Sequence, residues 1–316
     1  MILIAHRGCS YPGYNQNTIR SFEKVIEQGV PAIEIDVQLD ADGHLPIVHN
    51  LDLTEVSTGT GQVMSAPSTY LKTLYAGKPE RGEDRIPFLE EVLDLFAAQP
   101  QGEGKAKRPV LHMELKGNDT GLPAGHMVRA YLDDGRLTKD DILVSSFNWA
   151  ELKQIRTLCP ELDIALLDGS IRRAPLLEKC PGGEPYFSKL FAYGDEDYML
   201  PRFPKLDKNL GLLETLCPEG PVFDGLKDEI KICLSGGYYN DFLLEEAQKM
   251  KAASVNLWFE TVDKAFVDQA HARGLKVLVY TINREADLLR AANMGVDGIF
   301  TDFYEQSREV LKDYLK

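Results

Sequence analysis

A chain of 316 residues, 44% of them hydrophobic, is long enough to build a large buried core, which excludes disorder as a description of the whole. The formal net charge of −14 argues against nucleic acid or an anionic membrane surface as the main partner, because both bind a basic protein face. No apolar run approaches the roughly 20 residues that cross a bilayer, so no transmembrane segment is predicted. Five cysteines without Cys-x-x-Cys spacing, and no recognisable export signal, favour reduced thiols and a cytoplasmic location.

Short β-branched segments alternate with amphipathic helical segments along most of the chain, which is typical of a parallel sheet with crossover helices. Apolar residues at helical spacing predict helices that include Thr18 to Gln28, Pro87 to Ala98, Trp149 to Leu158, Val262 to Arg273 and Arg284 to Met294. Strands are predicted near residues 2–5, 32–38, 109–116, 141–145, 163–167, 252–258, 276–281 and 297–301. Eight such units predict the α/β class and a closed (β/α)8 barrel of the TIM type, as a single domain over residues 1–316.

Two segments interrupt this alternation. Asp40-Ala-Asp-Gly43 is a turn sequence that leads into Leu45-Pro-Ile-Val-His49, which predicts a small hairpin after the second strand. Residues from about 50 to 85 then form an irregular insertion. A longer insertion, over about residues 169–240, is rich in Pro, Gly and Tyr and exceeds the length of an ordinary loop, so a lid or subdomain is predicted there.

The second predicted strand carries acidic side chains on one face. Strict alternation places Glu34, Asp36 and Gln38 on one side of this strand and apolar residues on the other. Buried carboxylates without a positive partner are unfavourable, so a hard divalent cation bound by oxygens is the favoured explanation. The alternative is a solvated face of an edge strand, which the position of this strand between two helical units disfavours.

The third predicted strand repeats the pattern, with His112, Glu114 and Lys116 on one face. Glu114 can complete a metal site of three carboxylates. Lys116 is nearer the carboxyl end of the strand, where active sites of this architecture lie, and its ammonium group suits a phosphate oxygen. A simple ion pair between Glu114 and Lys116 is the alternative.

Two histidines end strands on the same side of the predicted barrel. His6 follows the first strand and His49 ends the hairpin, so the two can act as base and acid in one displacement. Taken alone, either could instead be a metal ligand or a core residue. Arg7 offers a planar guanidinium for a phosphate, and Gly8 allows a ligand to approach the backbone closely. No chemistry is assigned to His44, His112, His126 and His271.

Motifs along the whole chain occur in an order typical of one known family. They are His6-Arg7-Gly8, Asn17-Thr18, Glu34-x-Asp36-Val37, Asp42-Gly43, Val48-His49, Met113-Glu-Leu-Lys116, Ala270-His-Ala-Arg-Gly-Leu-Lys276, Tyr280-Thr-Ile-Asn283 and Gly295-Val-Asp-Gly-Ile-Phe-Thr-Asp302. Together they resemble the glycerophosphodiester phosphodiesterases, over residues 1–50, 86–168 and 250–303. The ordered combination is a specific signal, whereas His-Arg-Gly alone is a weak one.

The resemblance implies a (β/α)8 barrel that hydrolyses a small-molecule glycerophosphodiester to glycerol phosphate and an alcohol, with one Mg²⁺ or Ca²⁺ ion. The implied metal ligands are Glu34, Asp36 and Glu114, the implied acid–base pair is His6 and His49, and the implied phosphate contacts are Arg7 and Lys116. The nucleophile is either water or a substrate hydroxyl that would first give a cyclic phosphate.

Three departures from the usual pattern of this family matter. The run Pro-Glu-Asn-Thr is Asn15-Gln16-Asn17-Thr18 here, which keeps the helix cap but removes an acidic side chain near the barrel mouth. The usual His-Asp pair is His49-Asn50, which predicts a less basic site because an aspartate could orient or charge-stabilise its neighbour. Tyr280 stands where Trp is common, which predicts a substrate-binding aromatic wall that also carries a hydroxyl for a more polar substrate group.

Two other functions compete with this interpretation. The first is a phospholipase D of the sphingomyelinase type that acts on lipids or lysolipids, which the lack of an export signal and of apolar membrane-facing loops disfavours. The second is a catalytically idle barrel that binds a phosphate ligand, for which Gln16 and Asn50 are the motivation. No oligomeric state is predicted.

Overall fold

Eight parallel strands close into one barrel, in which each strand pairs with the next and the last pairs with the first. The computed structural model of the protein describes residues 1–77, 80, 83–100, 108–168, 237–259 and 262–315. The strands are β1 Ile2–Ala5, β2 Ala32–Val37, β3 Val110–Leu115, β4 Ile142–Ser146, β5 Asp163–Asp168, β6 Ser254–Trp258, β7 Lys276–Tyr280 and β8 Gly298–Thr301. The predicted barrel is therefore confirmed, and every predicted strand lies within two residues of an observed one.

Helices connect the strands, as a parallel barrel requires. In the described ranges they are α1 Ile19–Glu27, α2 Ser68–Leu71, α3 Leu89–Ala97, α4 Gly121–Asp133, α5 Trp149–Leu158, α6 Gly237–Lys249, α7 Lys264–Ala272, α8 Glu285–Met294 and α9 Tyr304–Val310, with short 3₁₀ helices η1 Val63–Ser65 and η2 Lys139–Asp141. The five helices predicted from apolar spacing are all confirmed. No helix in these ranges is both long and apolar enough to span a membrane.

Helix α1 begins where the sequence places its cap. The side chain of Thr18 accepts a hydrogen bond from the main-chain N–H of Ser21, and the Ser21 side chain accepts one from the N–H of Thr18. This reciprocal arrangement satisfies two main-chain donors that a helix start leaves without partners. Phe22 and Val25 are fully buried and attach the helix to the core. The loop between β1 and α1 contains His6 and Arg7, and the cap fixes the end of this loop that leads into α1.

The predicted hairpin follows β2. Val37 forms an antiparallel bridge with Ile47, and the Asp40 carboxylate accepts the N–H groups of Asp42 and His44, which closes the turn. The chain that follows, as far as residue 77, contains η1 and α2 and shares an apolar cluster with the hairpin. The cluster consists of Val48, Leu53, Val63, Ala66, Leu71, Leu74, Ala76, Ile86 and Phe88. The irregular insertion thus packs against the hairpin and the segment before α3 around one common apolar cluster.

The chain divides into two compact units, one formed by Met1–Asp168 with Ala247–Lys316 and the other by Gly169–Glu246. The first unit contains the barrel. Of the second, the structure describes only residues 237–246, so the lid or subdomain predicted for residues 169–240 falls almost entirely outside the described residues. That assignment, and the single-domain organisation over residues 1–316, stay predictions.

Candidate active site

Three carboxylates meet at one point toward the carboxyl ends of β2 and β3. The parallel register places Asp36 beside Glu114, and Glu34 lies two residues earlier on the same face of β2. All three side chains are buried, and each can offer an oxygen that lies within 4.8 Å of the other two. The structure therefore brings together the three side chains that the sequence predicts as metal ligands.

The electrostatics of this carboxylate cluster fit a bound cation. Burial, together with the charges of Asp36 and Glu114, raises the pKa of Glu34 well above its ordinary value. Burial also raises the pKa of Glu114. Glu34 Oε1 is buried and has no hydrogen-bond partner. Two carboxylates thus lack sufficient compensating positive charge, and hard oxygen ligands of this kind could hold one divalent cation.

Asp36 differs from the other two carboxylates because cationic side chains surround it. Its Oδ1 is 3.2 Å from the Lys116 Nζ, and its Oδ2 is 3.1 Å from the Arg7 Nε. Burial works to raise the pKa of Asp36, but the charges of Lys116 and Arg7 outweigh it and hold the pKa below the usual range. Asn17, which sequence reasoning left without a role, also donates to Asp36 Oδ2 at 2.8 Å. Asp36 is therefore charged and rigidly held.

Lys116 lies between two members of the cluster. Its ammonium is 2.5 Å from Glu114 Oε1 and also contacts Asp36, and the side chain is 2% exposed. The ion pair that the sequence left open as an alternative is thus present. The assignment of Lys116 to a phosphate oxygen stays a prediction.

Arg7 borders the same cluster from the loop after β1. Its main-chain N–H donates to Glu34 Oε2 at 2.9 Å, so both the backbone and the side chain of Arg7 contact carboxylates. Its Nη1 donates to Gln16 Oε1 at 3.3 Å, and the Gln16 amide donates in turn to Ser10 Oγ at 2.8 Å. The position where the family usually has Glu therefore supplies a neutral partner for the guanidinium.

His6 faces the cluster through one ring nitrogen. Its Nε2 is 3.9 Å from Glu34 Oε2, whereas its Nδ1 is 2.8 Å from Asp302 Oδ1. Burial and the charge of Arg7 lower the pKa of His6, and the contact with Asp302 opposes this. The sequence motifs include Asp302 without indicating a role for it, although its position directly after β8 is a usable signal, because β8 neighbours β1 in a closed barrel.

His49 is held by its own loop. Its Nδ1–H donates to Asn50 Oδ1 at 2.5 Å, and the Asn50 amide donates to Glu55 at 3.2 Å. Gln38, which directly follows β2, fixes the loop by donating to three consecutive main-chain carbonyls, those of residues 48–50. Burial and the charge of Lys116 lower the pKa of His49 well below its ordinary value. A cavity of about 210 Å³ adjoins His49.

Tyr280 packs against two other aromatic rings, and its place in a substrate pocket stays a prediction. Its ring packs edge-to-face against Phe147 and Phe300, with centroids 6.1 and 6.4 Å away. Its hydroxyl donates to the main-chain carbonyl of Asp168 at 3.3 Å. Burial, with the charges of Asp168 and Glu114, raises the pKa of Tyr280 well above its ordinary value. The hydroxyl therefore already has a protein partner, and its assignment to a substrate group stays a prediction.

Sequence comparison relates the chain to phosphodiesterases. The sequence model of the glycerophosphoryl diester phosphodiesterase family matches residues 6–180 and 235–306. A glycerophosphodiester phosphodiesterase of Caldanaerobacter subterraneus is 24% identical over 307 residues, which are 95% of this chain and 93% of that protein. One of Bacillus altitudinis is 24% identical over 315 residues, which are 98% of each protein. A human lysophospholipase D is 22% identical over 98% of this chain and 86% of its own length.

Solved structures share the fold. A phosphodiesterase of Oleispira antarctica, in complex with the product sn-glycerol-3-phosphate, aligns with a TM-score of 0.66 and 22% identity over 99% of this chain and 97% of that one. A glycerophosphodiester phosphodiesterase of Parabacteroides distasonis aligns with a TM-score of 0.64 and 21% identity over the same shares of the two chains.

Fold and site together define a (β/α)8-barrel enzyme with a buried acidic cluster toward the carboxyl ends of its strands. The family match extends over well more than half of the chain. The chain therefore belongs to the glycerophosphoryl diester phosphodiesterase family and is a phosphodiesterase, which confirms the family resemblance found in its motifs.

Proposed function

We propose that the protein hydrolyses a glycerophosphodiester to glycerol phosphate and an alcohol, with a divalent cation, Mg²⁺ or Ca²⁺, bound by Glu34, Asp36 and Glu114. His6 and His49 exchange protons with the reacting oxygens in this proposal. The observation that carries it is the burial of three mutually close carboxylates next to His6 and Arg7, with Glu34 Oε1 left without a hydrogen-bond partner.

Positively charged groups at the cluster can bind the phosphate of the substrate. Arg7 lies beside the cluster and can bind an anionic phosphate oxygen, with its guanidinium anchored through Nε on Asp36. Lys116 adds a second positive charge at the same place. A bound divalent cation would polarise a phosphoryl oxygen and offset the charge that develops there. Arg7, Lys116 and the cation would together supply the local attraction for an anionic substrate that the chain as a whole, with a net charge of −14, does not.

The two histidines carry out proton transfer in this proposal. Each has its Nδ1 occupied by a side-chain partner, Asp302 for His6 and Asn50 for His49, so Nε2 is the ring atom that can exchange a proton with substrate. One histidine takes the proton from the attacking hydroxyl or water as the new P–O bond forms. The other gives a proton to the leaving alcohol oxygen as the old P–O bond breaks. Water as the nucleophile gives glycerol phosphate directly, whereas a substrate hydroxyl gives a cyclic phosphate, which a water must then open to glycerol phosphate by a second P–O bond exchange.

The experiment is an assay of glycerol phosphate release from short glycerophosphodiesters such as glycerophosphocholine and glycerophosphoethanolamine. Chelator-treated protein is expected to be inactive and to recover with Mg²⁺ or Ca²⁺. His6→Ala and His49→Ala are expected to lose at least about 100-fold in kcat, in line with the usual contribution of general acid–base catalysis. His126→Ala, at an exposed position on α4, is the matched control and is expected to keep the activity of the parent.

Turnover that survives both the chelator and the two substitutions would overturn this mechanism. A parallel assay with lysolipids separates the competing functions, because activity on lysolipids alone would identify a phospholipase D. That arm is needed because a human lysophospholipase D is among the relatives. No turnover on any substrate, together with tight binding of glycerol phosphate, would identify an idle barrel.

A further inference from the structure

Asp302 lies beside His6 because the barrel closes between β8 and β1. In the parallel register Ala5 pairs with Thr301, and the main-chain N–H of His6 donates to the Thr301 carbonyl at 3.0 Å. His6 and Asp302 are thus the residues that directly follow two neighbouring strands. Residues in such positions lie at the same end of a parallel barrel, which is the end where its active sites are built.

The contact between the two side chains determines which ring nitrogen faces the cluster. Asp302 Oδ1 is 2.8 Å from His6 Nδ1, and an ionised carboxylate can only accept, so the ring proton lies on Nδ1. Contact with His6 and Asn283 keeps the pKa of Asp302 low although burial opposes this, so Asp302 is charged. Nε2 is then left facing Glu34 Oε2, 3.9 Å away.

Asn283 holds Asp302 from the other side. Its Nδ2 donates to Asp302 Oδ2 at 2.7 Å, and its Oδ1 accepts from the main-chain N–H of Asp302 at 2.9 Å and from Thr301 Oγ1 at 3.2 Å. The two oxygens of the Asp302 carboxylate therefore have separate partners, His6 and Asn283. The carboxylate cannot rotate without breaking one of these hydrogen bonds.

We propose that Asp302 is a positioning residue for the phosphodiester hydrolysis proposed above. It holds His6 with its proton on Nδ1 and its Nε2 toward the reacting oxygen, and it stabilises the imidazolium that forms when Nε2 takes a proton. Asn283 completes the arrangement by fixing the orientation of the carboxylate. This inference rests on the proposed function for its effect on turnover, whereas the tautomer of His6 can be measured without turnover.

The substitution Asp302→Asn tests the proposal because an amide cannot accept from both partners. With its oxygen toward His6, its NH₂ would face the donating Nδ2 of Asn283, and in the reverse orientation it would present a donor to His6 Nδ1. We expect kcat to fall about 10- to 100-fold with little change in KM, the range seen when an orienting partner is lost. In the His6→Ala background the same substitution should have no further effect, because the ring that it positions is gone.

Asp297→Asn is the matched control. Asp297 precedes β8 and contacts the ring of His271 at 2.8 Å, so it forms a similar pair of residues at the other end of the strand. It is expected to keep the parent kcat. The proposal is overturned when Asp302→Asn retains the parent kcat, or when it lowers kcat by the same factor with and without His6.

Nitrogen-15 NMR of histidine-labelled protein gives a second readout that does not depend on activity. The parent is expected to show His6 protonated at Nδ1, and Asp302→Asn is expected to shift this population toward Nε2. A parent in which His6 carries its proton on Nε2 overturns the proposal even when the variant fails to fold. Should the parent hydrolyse no glycerophosphodiester and yet show the Nδ1–H tautomer, the proposed function fails and the positioning of His6 by Asp302 stands.

Discussion

Replacing Gly8 by alanine tests the packing that fixes the loop between β1 and α1. Gly8 has a φ of +82°, a conformation that costs a residue with a side chain about 1–2 kcal/mol. An added Cβ would also lie 2.4 Å from Ser21 Oγ and 2.9 Å from Phe22 Cδ1. Both neighbours are fully buried, and the Ser21 hydroxyl is engaged in the cap of α1. Neither can move away without losing contacts of its own.

The size of the effect follows from two contributions. Overpacking of a filled core costs about 1–3 kcal/mol, so with the backbone contribution Gly8→Ala should lower the free energy of unfolding by about 2–5 kcal/mol. Gly13→Ala is the matched control, because Gly13 has a φ of +89° and a Cβ there would meet nothing within 4 Å. It should lose only the backbone contribution of about 1–2 kcal/mol.

Urea denaturation followed by tryptophan fluorescence measures both variants against the parent chain. We expect similar urea dependence of the free energy in the three proteins, with the midpoint of Gly8→Ala below that of Gly13→Ala. Gly8→Ala should also lower kcat at temperatures where it is folded, because His6 and Arg7 immediately precede the altered position. Equal midpoints for the two variants would refute the reasoning, since backbone strain alone would then account for the whole effect.

Two further variants examine buried charge. Lys116→Met removes the ammonium between Asp36 and Glu114. Breaking a buried ion pair costs about 3–5 kcal/mol, so thermal unfolding should show this variant to be less stable than the parent. The loss of stability should be smaller with saturating Mg²⁺ or Ca²⁺ than with chelator, and equal losses would argue against a cation there. Burial lowers the pKa of His112 to about 4. As the pH falls from about 6.5 to about 4, the unfolded chain therefore binds a proton at this residue that the folded chain does not bind. The folded state should lose about 3 kcal/mol of stability over this range. The measurement is denaturation of chelator-treated protein at neutral and at acidic pH. His112→Leu should not lose this stability in acid, whereas His126→Leu, at an exposed position, should lose it as the parent does. The same pH dependence in all three proteins would contradict the assignment of the effect to His112.

Alternation along single strands was sufficient to predict the carboxylate cluster. A strand repeats every two residues, so Glu34 and Asp36 had to share a face of β2, and the parallel register then placed Glu114 beside Asp36. The apolar faces of the same strands indicated a buried barrel. These conclusions needed only local periodicity and the knowledge that parallel strands of a barrel end on the same side.

Contacts between loops could not be predicted in this way. His6 and Asp302 are 296 positions apart, and they meet only because the barrel closes in a particular register. The partners of Gln16 and Gln38 depend on which rotamers the surrounding loops allow. Sequence motifs include some of these residues, but a motif does not say which residues of other motifs lie close to it in space.

Helix α4 illustrates how tertiary packing overrides local preference. It contains Gly121 and Gly125, residues that lower helix propensity and weaken the apolar pattern used to predict helices. A Cβ at Gly125 would lie 2.9 Å from Leu158 Cδ1 on α5. The glycine therefore lets α4 approach α5 closely, and the packing of the two helices stabilises what the local sequence disfavours.

The departures from the family pattern make the two histidines unequal. At Asn50 a neutral amide accepts from His49, whereas the carboxylate of Asp302 accepts from His6. A carboxylate on Nδ1 stabilises the imidazolium that forms when a histidine takes up a proton, and an amide does so far less. Gln16 has a parallel effect on Arg7, because it accepts from the guanidinium without neutralising its charge. Both substitutions reduce negative charge around the cluster, which favours the binding of an anionic diester by a protein that is acidic overall.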